Sequence, residues 1–175
     1  MADKYLEPLL SKEFIDYFLK LDLKNKKLVE IGIGPSTLFW GKYFKQINGY
    51  ENDLNYYQSF LKKTAPLKNV TLHHYDKTIF NSDDFKIKIF EADYILIDNN
   101  PAYLERFIFA KFAVEHKNPH CCIILDNGNW NRQAHDYLSQ QFYCKDFLGI
   151  NMEKGKLYKY PTITTIFFKR KEDIN

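Results

Sequence analysis

Two short runs, Tyr94-Ile95-Leu96-Ile97-Asp98 and Cys122-Ile123-Ile124-Leu125-Asp126, lack the polar/apolar alternation of a half-exposed strand. A strand that is apolar on both faces needs cover on both, which is the signature of a central strand in a parallel sheet. Parallel strands in turn need crossover connections, usually helical. The remaining pattern supplies them. Residues from about Pro8 to Leu21 put Leu9, Leu10, Phe14, Tyr17, Phe18 and Leu21 on one helical stripe. A strand at Lys27 to Ile31 is followed by a helix from Ser36 to Lys45. A short strand, Gln46 to Tyr50, leads to a helix from Leu54 to Lys63 with Tyr57, Phe60 and Leu61 inward, and then to a strand from Val70 to His74. Helices from Ala102 to His116 and from Arg132 to Gln141 follow the two apolar strands. The extended runs Tyr143 to Gly149 and Pro161 to Lys169 have no helix between them and must pair antiparallel or as a hairpin. Strand and helix thus alternate five times before two closing strands. With right-handed crossovers this gives an α/β, doubly wound, seven-stranded sheet with helices on both faces.

The chain has 175 residues, enough for one domain spanning 1–175, with an N-terminal helix in 1–22 and a core over 27–170. Hydrophobic residues make up 45 %, which excludes a disordered composition. A net charge of +3 is too small to imply nucleic acid, and the runs Lys24-Asn25-Lys26-Lys27 and Lys169-Arg170-Lys171 read as solvated loop and tail. Cys121, Cys122 and Cys144 have neither the number nor the spacing of a disulfide framework or a zinc site. There is no charged-then-apolar leader and no apolar run near the length of a membrane span, so a cytoplasmic location and no membrane partner are expected.

The segment Leu28-Val29-Glu30-Ile31-Gly32-Ile33-Gly34-Pro35-Ser36-Thr37 reads as strand, glycine turn and helix start. Gly32 and Gly34 allow a sharp turn and a close ligand approach, and Ser36 or Thr37 can cap the helix. Glu51 closes the next apolar run about twenty residues on, where a carboxylate can hold a ribose. The pattern points to a nucleoside cofactor. A dinucleotide site wants a third glycine, where Thr37 stands, and free N–H groups for a diphosphate, where Pro35 removes one. Glu30 beside the turn suits a ligand carrying an ammonium and a sulfonium. Glu-Ile-Gly-Ile-Gly-Pro-Ser-Thr resembles the first motif of the Rossmann-like, class I S-adenosylmethionine (SAM)-dependent methyltransferases. That resemblance implies an antiparallel last strand inserted beside its neighbour. It also implies that Glu30, Gly32 and Gly34 hold the methionine part of SAM and that Ser36 and Thr37 lie near its carboxylate. Glu51 then takes the ribose, Asn52 flanks the adenine, and Tyr75 or Asp76 lies near the adenine amino group.

Polar strand ends continue at Asp98-Asn99 and Asp126-Asn127. Ligands of open parallel sheets sit beyond these carboxyl ends. Asp98 is expected to face cofactor and acceptor and to serve in catalysis. Asp98, Asp126 and Asn127 offer a hard-cation ligand set, and their pattern resembles the magnesium site of catechol-type O-methyltransferases. The lysine base of that group has no counterpart: Asn99, Asn100 and Pro101 stand in its region, and Asp126-Asn127 reads equally as an Asx turn. His74 is a second candidate base. Arg106 reads as a helix-face residue or a partner of Asp98, and Trp130 as an acceptor-stacking or packing ring. The segments Leu125 to Trp130, Asp146 to Gly149 and Thr164 to Arg170 resemble a group of short bacterial and phage methyltransferase-like proteins.

The expected activity is SAM-dependent methyl transfer to an oxygen or nitrogen of a glycan or small-molecule acceptor, with Mg2+ as an added cofactor. The rival readings are a non-catalytic nucleoside-binding module and an NAD-dependent oxidoreductase. A homodimer would form through the amphipathic N-terminal helix or the last strand.

Overall fold

The computed structural model describes residues 8–100, 103–149, 152–153, 156–157 and 161–170. Its main sheet holds seven strands: β1 (Lys27–Ile31), β2 (Gln46–Glu51), β3 (Val70–His74), β4 (Tyr94–Ile97), β5 (Cys122–Leu125), β6 (Tyr143–Gly149) and β9 (Thr162–Phe168). Their spatial order is β3-β2-β1-β4-β5-β9-β6. β1 to β5 are parallel, and β9 runs antiparallel between β5 and β6. The expected doubly wound sheet with an antiparallel last strand is therefore what the chain forms.

The double apolar character of the central strands has its cause in two separate cores. Val29, Ile31, Ile95, Ile97, Ile123, Leu125 and Phe167 share one core with residues of α4 (Asp83–Glu91), α5 (Tyr103–His116) and α6 (Arg132–Ser139). Their neighbours Leu28, Leu96, Ile124, Ile166 and Phe168 share the other with α1 (Lys12–Phe18) and α2 (Pro35–Trp40). Period-two alternation sends successive side chains to opposite faces, and both faces are covered. A third, smaller cluster seats α3 (Leu54–Thr64) through Phe60 against Ile33 and Leu72.

Several elements differ from the pattern. The first helix is shorter than its stripe, because the Ser11 hydroxyl accepts the Phe14 N–H at 3.1 Å and fixes the start there. α2 stops at Trp40, and irregular turns carry the chain to β2. The β3–β4 crossover, to which the pattern assigns no helix, contains a 3-10 turn over Lys77–Asn81 and then α4. Two-residue strands β7 (Met152–Glu153) and β8 (Lys156–Leu157) pair antiparallel in the β6–β9 connection. The expected helix start at Ala102, and Pro101, lie outside the described residues, as does Lys171.

Both elements expected to make a dimer also have partners within the chain. Phe14 and Phe18 of α1 are buried within the chain, where Phe18 meets Trp40 edge-on at 5.4 Å. β9 is flanked on both sides and has no free edge. Among the described residues no helix is long and apolar enough to cross a membrane.

Candidate functional site at the carboxyl ends of the strands

Five polar side chains line up on one face of the sheet. Alternation places Glu30 after Leu28, Asp98 after Leu96, Asp126 after Ile124 and Thr164 before Ile166, all on the face that carries α1 and α2. Glu51 ends β2 on the same face, since Ile47 belongs to that core. Register puts Asp98 beside Asp126, because Ile97 pairs with Leu125 and the Asp126 N–H donates to the Ile97 carbonyl.

The turn after β1 packs closely against the end of β4 beside this row. Gly32 has φ +92°, and a Cβ there would stand 2.6 Å from the backbone of Asp98 and Asn99. Only glycine fits. Gly34 by contrast has room for a Cβ, which would stand in ordinary contact with the Tyr56 hydroxyl at 3.7 Å and the Ser36 hydroxyl at 3.8 Å. Beneath the turn Glu30 is fully buried. The Ser36 hydroxyl donates to its Oε1, while its Oε2 has no hydrogen-bond partner among the described residues. Burial pushes the Glu30 carboxyl up to about 8, with Asp98 adding to the rise and the Ser36 and Thr37 hydroxyls opposing it. Glu51 is 8 % exposed and its Oε1 accepts the Asp53 N–H at 2.8 Å. Its carboxyl is also raised by burial, against the pull of neighbouring N–H groups.

Asp98 and Asp126 do come together, and a guanidinium joins them. Arg106 of α5 is buried and forms an ion pair with Asp98 Oδ1 at 2.9 Å. It also donates to the carbonyls of Asn99 and Asp126 and, at 3.4 Å, to Asn127 Oδ1. Asp126 Oδ1 accepts from the Thr164 hydroxyl at 2.7 Å, and Thr164 in turn accepts the Ser11 N–H at 3.0 Å. Asn127 has φ +52° and its amide donates to Thr162 Oγ1. The set read as a magnesium site is thus knit around a fixed cation, and no group of three or more His, Cys, Asp or Glu suited to a metal occurs among the described residues. Burial and the Asp98 charge hold the Asp126 carboxyl well above its ordinary range; burial raises Asp98 too, while Arg106 pulls it down.

Other expected residues are elsewhere or otherwise engaged. Thr37 Oγ1 accepts the Gly34 N–H at 3.0 Å, so Ser36 and Thr37 both turn inward and brace the loop. Asp76 caps the 3-10 turn, accepting from the Thr78 N–H at 2.8 Å and the Thr78 hydroxyl at 2.6 Å, and these bonds lower its carboxyl. His74 ends the outer strand β3, with β2 and β1 between it and β4, and its Nε2 lies 3.1 Å from the Asn52 carbonyl. At about 4.8 Å per strand that is too far for His74 and Asp98 to share one acceptor. Asn52 stands half-buried beside Glu51, and Trp130 is exposed just past β5. Sequence reasoning gave Arg106 no fixed role and passed over Tyr56 and Thr164. Only the charge of Arg106 inside an apolar helix was a signal.

No family model matches the chain, and no curated protein sequence matches it. Solved structures do. A precorrin-6y C5,15-methyltransferase from Geobacter metallireducens superposes with TM-score 0.63 at 15% identity, over 87% of this chain and 83% of that one. A precorrin 8W decarboxylase from Methanobacterium thermoautotrophicum gives 0.62 at 13%, over 97% and 96%. An RNA methyltransferase from Salinibacter ruber in complex with S-adenosyl-L-homocysteine gives 0.55 at 15%, over 91% and 93%. At such identities the likeness establishes the fold. The seven-stranded mixed sheet with flanking helices is the class I methyltransferase, Rossmann-like fold.

Proposed function

We propose that the chain is a SAM-dependent methyltransferase acting on an oxygen or nitrogen of a small-molecule or glycan acceptor. One observation carries the reading: the orphaned, buried Oε2 of Glu30 beneath the glycine turn, with Glu51 on the adjacent strand end. A buried carboxylate oxygen without a partner is costly, and the ammonium of an amino-acid ligand would satisfy it. The fold itself does not choose the reaction, since the same sheet serves a protein described as a decarboxylase.

Bound SAM would supply an electrophilic methyl group. This chain's part is alignment, the largest lever on a displacement of this kind. Glu51 would hold the ribose, Gly32 and Gly34 would let the ligand lie against the backbone, and Asn52 would border the adenine. Asp98 is 23% exposed by side chain and held by Arg106 at 2.9 Å, and it would be the group that takes the acceptor's proton. Calorimetric titration with S-adenosylhomocysteine and separately with NAD tests the cofactor. Micromolar binding of the first alone supports the reading; NAD binding with silence toward the first overturns it. Glu51→Ala is expected to weaken S-adenosylhomocysteine binding by about 1–3 kcal/mol, and unchanged binding removes the ribose role.

A further inference from the structure

We propose that Tyr56 is a further cofactor-binding residue whose hydroxyl donates to the ribose from the side opposite Glu51. The inference rests on the cofactor reading above. Tyr56 sits in the first turn of α3, where Asp53 Oδ1 accepts its N–H at 2.9 Å and its ring lies 4.8 Å from Phe60. Both ends of the side chain's base are therefore fixed. The hydroxyl reaches over the glycine turn to 3.7 Å from the Gly34 Cβ position, and the ring as a whole remains partly open to solvent. Among the described residues the hydroxyl makes no hydrogen bond.

The surroundings define what it can hold. Burial raises the Tyr56 pKa, and the charges of Glu51, then Asp98 and Glu30, add to the rise, so the hydroxyl stays a donor at neutral pH. The three carboxylates are acceptors when charged. A ribose between Glu51 and Gly34 donates its hydroxyl protons to Glu51 and still presents oxygen lone pairs, which need a donor. Ser36 and Thr37 turn their donors elsewhere: both hydroxyls are directed to Glu30, Thr37 accepting the Gly34 N–H as well, and the Thr37 N–H is on the Gly34 carbonyl. Pro35 has no N–H. Tyr56 is the donor that the cradle holds over this position.

The test is titration of the parent protein and Tyr56→Phe with S-adenosylhomocysteine and with 5′-methylthioadenosine, which keeps the ribose and lacks the amino-acid end. The Phe ring preserves the Phe60 contact, and a thermal melt verifies that the variant folds. The expected result is a loss of about tenfold for both ligands, in parallel. An unchanged S-adenosylhomocysteine affinity overturns the assignment. So does a loss confined to that ligand, which would put the hydroxyl on the amino-acid end. If the parent takes neither nucleoside, the cofactor reading fails instead.

Discussion

Glu30 is the residue where burial and chemistry conflict most openly. It ends up fully buried with one oxygen bonded and one bare. Its proton is held to about 8 in the fold against an ordinary value of 4.5. Between these values the native state binds more protons than the unfolded chain, so stability falls as pH rises, by up to about 1.4 kcal/mol per pH unit. Glu30→Gln removes that term and keeps an acceptor for Ser36. Urea unfolding at pH 5, 6.5 and 8 is expected to show the variant gaining on the parent at each step. Asp126 remains in both proteins, and Asp98 loses only the smaller influence of the Glu30 charge, so parallel curves would show that Glu30 does not hold its proton. At this scale the sequence showed which residues would be polar at strand ends and near a turn, because that follows from periodicity. It did not show how they pair. Ser36 and Thr37 had the right chemistry for a ligand and turned inward, and Arg106, read as a helix-face residue or a partner of Asp98, pairs with Asp98 and became the hub of two strand ends. Partner choice among side chains distant in sequence is a three-dimensional matter that spacing does not encode.

The strand β1, the turn and α2 work as one element, and its tolerance is set by β4. Gly32→Ala would place a methyl group 2.6 Å from three backbone atoms of Asp98 and Asn99, in a left-handed conformation. Backbone cannot swing aside as a flexible side chain can, so the expected cost is about 2 kcal/mol or more. Urea unfolding at fixed pH measures it, and a change below about 0.5 kcal/mol, the size of a neutral surface substitution, would mean that the turn is not held against β4 as described. Elements with a strong period were legible. The continuous apolar runs of β4 and β5 placed the sheet centre, and the lack of a helix before the last strand placed the antiparallel pair. α4 was not legible because its apolar residues do not share a stripe: Phe85 and Ile89 are buried, while Ile87 and Phe90 are among the exposed hydrophobics. The extra length read into α1 came from the same rule in reverse. Leu9 and Leu10 extend the stripe, but Leu9 is exposed, and the Ser11 hydroxyl begins the helix after them.

Taken as one molecule, the protein is two cores on either side of a sheet whose carboxyl end gathers acidic groups, and what those groups accept decides how ligands act on global stability. A ligand that binds the native state alone stabilises it by about 2.7 kcal/mol at a hundred times its dissociation constant. For a chain of 175 residues that raises the unfolding midpoint by roughly 5–10 °C. S-adenosylhomocysteine is expected to produce this shift through Glu30 and Glu51, its ammonium displacing the proton that burial holds on Glu30. Magnesium at millimolar concentration is expected to produce none. Its expected ligands already answer to other groups: Asp98 Oδ1 to Arg106 at 2.9 Å, Asp126 Oδ1 to Thr164 at 2.7 Å, Asn127 Oδ1 to Arg106 at 3.4 Å. A divalent ion placed there would meet the guanidinium charge at contact distance, and expelling Arg106 would leave its charge buried and unpaired, a cost of several kcal/mol. Thermal scans with each ligand alone separate the cases. A magnesium-dependent rise would mean that Arg106 yields its place, and the acidic end would then be a metal centre. A rise with the nucleoside alone leaves Arg106 as the resident cation that joins β4 to β5.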